Sequence, residues 1–247
     1  MVNRFSFKCL VTFFLLVTGL SCTKKQSSAI YLNPEPLNEI LNRYVEDGIW
    51  PFLYSKIVNG TSGDIVYEHL AVNRRLLPNQ NINGGTWMRI WSMSKLVTIS
   101  LAMDLIEEGL FYLDDPVHKY IPEFSNLMVA VDSNGESISR SRNEDLDCPH
   151  DLVNMDSVMT VQHLFNHTAG FYYALTSSKC LNEQIGSNKL LQAESGNQLI
   201  NLLSNLPLIQ HSGETYFYGF NTSVLGLLLE RVTGTSLRQI FIDRIEK

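Results

Sequence analysis

Two strand-like segments stand near the start of this chain, and every long periodic segment after them is helical. Phe52 to Asn59 and Asp64 to Val72 alternate as half-buried strands do, and Asn59-Gly60-Thr61-Ser62-Gly63 between them is hairpin-like. Helical spacing precedes them in Leu37, Ile40, Leu41 and Tyr44, closed by Gly48. It then dominates from Ser94 to Gly109, from Val161 to Asn166, from Ser195 to Leu206, and from Thr222 to Thr233 before Gly234. In the Ser94 helix, Leu96, Ser100, Met103, Leu105 and Ile106 are expected on or near one face. Strands followed by a run of helices predict an α+β fold rather than alternating βαβ units. Two strands make a marginal sheet by themselves, so the helices must carry the core.

The segment that joins these halves carries chemistry. In Arg89-Ile90-Trp91-Ser92-Met93-Ser94-Lys95-Leu96 a serine and a lysine stand three apart at a helix start, on one helix face. A hydroxyl beside an amine is a compact nucleophile–base unit, and a helix N-terminus favours developing negative charge. The same spacing also fits a first-turn serine and a solvated lysine, and it recurs at Ser21-Cys22-Thr23-Lys24. Tyr218 stands just before the Thr222 helix, where a tyrosine either packs at the helix start or reaches across a cleft to a serine. His163 and His167 are four apart, a metal-compatible spacing, but no third ligand supports it. The Gly170 turn follows at once, so His167 is expected to brace a loop, and no metal or other cofactor is expected. Asp114-Asp115 before Pro116 is expected to be a turn and cap device.

The N-terminus reads as a processing signal. Arg4 and Lys8 flank an apolar run from Cys9 to Leu20 that is short for a membrane span. Gly19-Leu20-Ser21-Cys22 then precedes a polar stretch and resembles a bacterial lipoprotein cleavage site. The expected layout is a signal peptide over 1–21, a tether over 22–34 and one domain over 35–247. Cys22 would carry lipid, so the domain would be exported and held at the membrane by that anchor alone. Export favours oxidised cysteines, and Cys148 and Cys180 are candidates either for a disulfide or for two unpaired thiols. The chain holds 19 Lys and Arg against 25 Asp and Glu, and no basic clustering suggests nucleic acid. The polar stretch from Asp132 to Asp156 is long for a loop.

Five ordered motifs give the chain a family resemblance. They are Tyr44 to Pro51, Arg89 to Lys95, Leu113-Asp114-Asp115-Pro116-Val117-His118-Lys119-Tyr120-Ile121-Pro122-Glu123-Phe124, Val161 to Gly170, and Tyr218-Gly219-Phe220 leading into Glu230-Arg231-Val232-Thr233-Gly234. Together they resemble the serine beta-lactamase-related superfamily of class C beta-lactamases, DD-peptidases and family VIII-type esterases. The resemblance covers roughly residues 35–247. It implies a beta-lactamase/transpeptidase-like fold in which a helical region packs on an antiparallel sheet. Ser92 would be the nucleophile of an acyl-enzyme, Lys95 would help deprotonate it, and Tyr218 would be general base or proton relay. The Ser92 backbone N–H would supply half of an oxyanion hole. For Lys95 to be neutral near pH 7, its hold on the proton must weaken by about 4 kcal/mol, which a water-poor cleft supplies. Ester or amide substrates, peptidoglycan-like or otherwise small, are implied.

The departures are specific. Trp91 occupies a place where the family uses a small residue, and Phe220 stands where relatives keep a substrate-holding amide, with Asn221 one later. Trp91, Phe220 and Asn221 are therefore the candidates for contact with substrate. The family's third motif, a basic or His residue near Gly on an inner strand, and the strands that complete its sheet have no counterpart here. The expectation is an N-terminal portion of a longer or truncated protein with those sheet strands missing. The alternatives are a non-catalytic cell-wall or partner-binding protein on the same fold, or an inactive fragment.

Overall fold

The computed structural model describes residues 33–140, 151–174 and 176–246. The expected signal peptide, Cys22 and Cys148 lie outside them. The chain divides into two compact units, one ending at Met88 and the other starting at Arg89.

The first unit is a helix on a two-stranded sheet. Helix α1 (Glu35–Glu46) starts with Pro36 in its first turn, where a missing N–H costs nothing. Strands β1 (Phe52–Val58) and β2 (Ile65–Val72) pair antiparallel, Phe52 opposite Val72 and Ile57 opposite Tyr67. Val45, Tyr67 and Ala71 are the buried apolar residues. Polar side chains lock α1 to the sheet. The Tyr67 hydroxyl donates to Asn38 Oδ1 at 2.8 Å, and Asn73 Nδ2 donates to the Val45 carbonyl at 2.8 Å.

The second unit holds a continuous apolar core. A 3-10 turn, Trp91–Met93, leads into α2 (Ser94–Glu107). The buried face of α2 is Leu101, Ala102 and Leu105, whereas Leu96 and Met103 are exposed. The expected face is therefore rotated. The helix is apolar around most of its circumference, so spacing alone does not choose the inward side. After α2, Asp115 ties its own turn together by accepting from the Tyr112 N–H, Lys119 Nζ and the Tyr120 hydroxyl.

A second ladder follows, β3 (Met128–Val131) against β4 (Asp151–Asn154). β4 lies in the stretch read as irregular, because all four of its residues are exposed and show no alternation. β3 is also bridged to Leu208, whose N–H donates to the Met128 carbonyl at 2.8 Å. Three longer helices and two of five residues follow. They are α3 (Val161–Phe165), α4 (Lys179–Ser187), α5 (Gly196–Ser204), α6 (Asn221–Thr233) and α7 (Leu237–Phe241). α4 has too few apolar residues to show in the sequence, and Ser178 caps it through the Leu181 N–H. Cys180, in its first turn, is disulfide-bonded.

Helix α6 is the centre of this unit. Val224, Leu225, Leu228 and Leu229 are fully buried, and α2 and α3 both pack on it. Helices packed around short antiparallel ladders make this an α+β arrangement, as the order of elements led one to expect.

Candidate active site

The site gathers where α2 and α6 begin. Trp91 sits at φ 47°, a left-handed conformation that a bulky residue adopts at a cost. Its carbonyl accepts from the Ser94 hydroxyl at 2.6 Å, which holds the turn. That turn presents Ser92 at the surface, and Lys95 Nζ donates to Ser92 Oγ at 3.2 Å. The same ammonium lies 4.9 Å from the Tyr218 ring centroid and 5.9 Å from that of Tyr173. Tyr218, far from both in sequence, is thus brought into one cluster with Ser92 and Lys95.

The electrostatics of Lys95 and Tyr218 run in opposite directions. Burial pulls the Lys95 ammonium down, but Tyr218 and Tyr173 outweigh it and hold the group above its ordinary value. Tyr218 moves the other way. Hydrogen bonding from Lys95, then from Ser92, holds its phenol below the ordinary value of 10.0. These directions favour the charged form of Lys95 over the neutral amine. Two tyrosines face it, and they favour its charge more than the partly open cleft disfavours it. Of the two groups, Tyr218 is the one whose proton is loosened.

The segment carrying Tyr218 is fastened at both sides. The Phe217 N–H donates to the His167 carbonyl at 2.8 Å. Gly219 lies so close to the next loop that a Cβ there would stand 2.2 Å from the Phe171 carbonyl oxygen. Gln210, fully buried, donates from Nε2 to the Thr215 carbonyl at 2.6 Å and the Thr168 carbonyl at 3.3 Å. The Tyr218 ring stacks on His167 at 5.1 Å and 25°, and it meets Tyr173 edge-on at 5.7 Å. Neither Gln210 nor Tyr173 was legible as a site residue, because each gains its role only when two distant loops meet.

Two of the expected substrate contacts are corrected. Asn221 is fully buried, and its Nδ2 faces His167 Nδ1 at 3.2 Å and the Phe217 and Phe171 carbonyls at 3.3 and 3.4 Å. It braces the loops from within. Phe220 is 4% exposed and packs edge-on against Tyr173 at 4.5 Å. The α6 start turns both side chains inward, so Tyr218 alone of that motif reaches the surface. Trp91 is open to solvent beside Ser92.

The two spaced histidines serve the backbone. His163 Nδ1 accepts from the Thr160 N–H at 3.2 Å, completing a reciprocal cap on α3. His167 braces the Tyr218 loop, as the adjacent Gly170 turn led one to expect. Burial pulls both imidazoles below the ordinary value, and Lys95 adds to this at His167. Among the described residues no group of three or more His, Cys, Asp or Glu could hold a metal ion.

Comparison with known proteins places this arrangement. The family model described as Beta-lactamase matches residues 57–247. The ML-236A carboxylate methylbutanoyltransferase mlcH of Penicillium citrinum is 30% identical over 195 residues, 74% of this chain and 42% of that protein. Esterase EstB of Burkholderia gladioli is 26% identical over 178 residues, 71% of this chain and 40% of its own. Among solved structures, unliganded simvastatin synthase (LovD) from Aspergillus terreus superposes with a TM-score of 0.64 at 25% identity, covering 87% of this chain and 52% of that one. The chain spans about two fifths of the length of these curated relatives. Acyltransferases and esterases both stand among them. With the α+β fold and the match over most of its length, the chain belongs to the beta-lactamase family, within the serine beta-lactamase/transpeptidase-like superfamily.

Proposed function

We propose that the protein transfers an acyl group through an ester on Ser92, with Tyr218 as the base and Lys95 as the cation that keeps Tyr218 ionisable. The observation that carries this reading is the cluster itself: Lys95 Nζ donates to Ser92 Oγ at 3.2 Å and lies 4.9 Å from the Tyr218 ring centroid, and the directions of shift, Lys95 up and Tyr218 down, agree with it. Tyr218 as phenolate takes the Ser92 Oγ proton while Oγ attacks the carbonyl carbon of an ester or amide. The tetrahedral adduct collapses, the bond to the leaving group breaks, and the leaving group recovers the proton from Tyr218. Water or an alcohol then repeats the sequence, giving its proton to Tyr218, which returns it to Ser92 Oγ as the acyl bond breaks. The Ser92 backbone N–H would donate to the oxyanion, an interaction typically worth about 3–4 kcal/mol. Water as acceptor gives a hydrolase for small or peptidoglycan-like substrates, and an alcohol gives an acyltransferase.

Mass spectrometry after treatment with a fluorophosphonate is expected to place one adduct on Ser92 and none on the S92A protein. No adduct, or the same adduct on S92A, overturns the reading and favours the non-catalytic alternative. Export with lipid on Cys22 is proposed on sequence alone; a Cys22→Ser protein that stays in the membrane fraction would remove it.

A further inference from the structure

The beta-lactamase-like site has a fourth member whose role the triad does not use. His167 stands at φ 59°, a left-handed conformation, and that places its carbonyl and its ring on the Tyr218 segment together. The carbonyl takes the Phe217 N–H at 2.8 Å, and the ring lies against the phenol at 5.1 Å. A left-handed residue that is not glycine persists only where its surroundings over-determine it.

The hydrogen bonds fix the proton on this ring. Asn221 Nδ2 has two hydrogens and three neighbours within reach: His167 Nδ1 and the Phe217 and Phe171 carbonyls. Carbonyl oxygens only accept, so the amide cannot be turned over without setting oxygen against oxygen in a fully buried place. In this orientation, which leaves Asn221 Oδ1 without a hydrogen-bond partner, His167 Nδ1 faces a donor and is unprotonated. Nε2 then carries the hydrogen and donates to Thr222 Oγ1, 3.3 Å away. The titratable groups facing the ring are Lys95 from α2 and Tyr216 and Tyr218 from the loop before α6, while Asn221 and Thr222 on α6 are uncharged.

We propose that His167, held as the neutral Nε2–H imidazole by Asn221 and Thr222, is a positioning residue that sets where the Tyr218 phenol points relative to Ser92 and Lys95. The inference rests on the reading of Tyr218 as the base, and its test separates the two. Protein carrying 15N-histidine and 13Cζ-tyrosine is titrated by NMR. His167 is expected in the Nε2–H tautomer, staying neutral below the pH at which an ordinary histidine charges. In H167N, chosen because asparagine tolerates the left-handed conformation, the Tyr218 titration is expected to move up. Acylation of Ser92 by an activated ester should fall by up to about 100-fold with KM unchanged, and its rising pH limb should move to higher pH. A Nδ1–H tautomer, ordinary titration of His167, or an H167N protein with wild-type rate and Tyr218 midpoint overturns the proposal. If H167N does not fold, the wild-type tautomer still decides it. If Ser92 proves inert while His167 and Tyr218 titrate as expected, it is the acyl-enzyme reading that fails.

Discussion

The two sides of the site are built differently. Ser92 sits on the 3-10 turn that leads into α2 and Lys95 on the first turn of α2, near the surface, and their geometry is local: three residues of spacing and one hydrogen bond of 3.2 Å. Tyr218 is presented by a loop that depends on His167, Phe171, Gln210 and Asn221, and most of the polar atoms that hold it are buried. A helix turn needs little outside support to place two side chains. A loop takes one conformation only where contacts from other segments hold it, as the Gln210 and Asn221 amides do here. The nucleophile side should therefore tolerate change, and the base side should not.

The sharpest way to break the contrast is Gly219→Ala. The added carbon meets backbone that cannot swing aside. The variant is expected to lose about 3 kcal/mol or more of stability in chemical denaturation, with Ser92 labelling reduced in whatever remains folded. Ala at Gly186 meets nothing within 4 Å and serves as the control.

A smaller effect concerns acid. His163 and His167 both bind protons less readily when folded than at their ordinary value of 6.5. Below that value the unfolded chain takes up more protons than the folded one, so stability must fall as pH drops through 6.5 toward the depressed values. Denaturation midpoints between pH 7 and pH 5 should show this slope. His163→Gln, which keeps an acceptor for the Thr160 N–H, should flatten part of it. An unchanged slope would mean that His163 contributes nothing to the acid response.

The smallest expected effect tests the tolerant side. Trp91→Gly removes a left-handed tryptophan whose ring is 77% exposed, so little packing is lost. Relief of strain, less the greater freedom of glycine in the unfolded chain, should raise stability by about 0.5–1 kcal/mol. If stability rises while acylation of Ser92 slows, the strained turn is there to aim the hydroxyl.

Much of the scaffold was legible because it depends on local signals. The hairpin shows in its turn residues, and α6 shows in its apolar spacing and in Gly234, which ends the helix at φ 66°. Helix α4 and strand β4 did not show, and neither did the four-residue β3. The first is short and polar, and the second is exposed along its whole length. The inward face of α2 was misread because leucines, methionines and isoleucines surround it, and only its neighbours decide which are covered. At the site, the motif residues Ser92, Lys95 and Tyr218 could be named from their places in the chain. Asn221 and Phe220 could not be placed, since one residue of rotation at a helix start decides between cleft and core.

The sequence by itself determined the residue types, the Ser92 to Lys95 spacing and the order of elements, because periodicity and turn chemistry act over a few residues. Only the tertiary structure decided which groups surround Lys95. The charge state of Lys95 depends on two tyrosines, Tyr173 and Tyr218, that approach it from other segments of the chain. Electrostatic balance follows distance in space, and distance in space is fixed only when loops far apart in the chain are packed together.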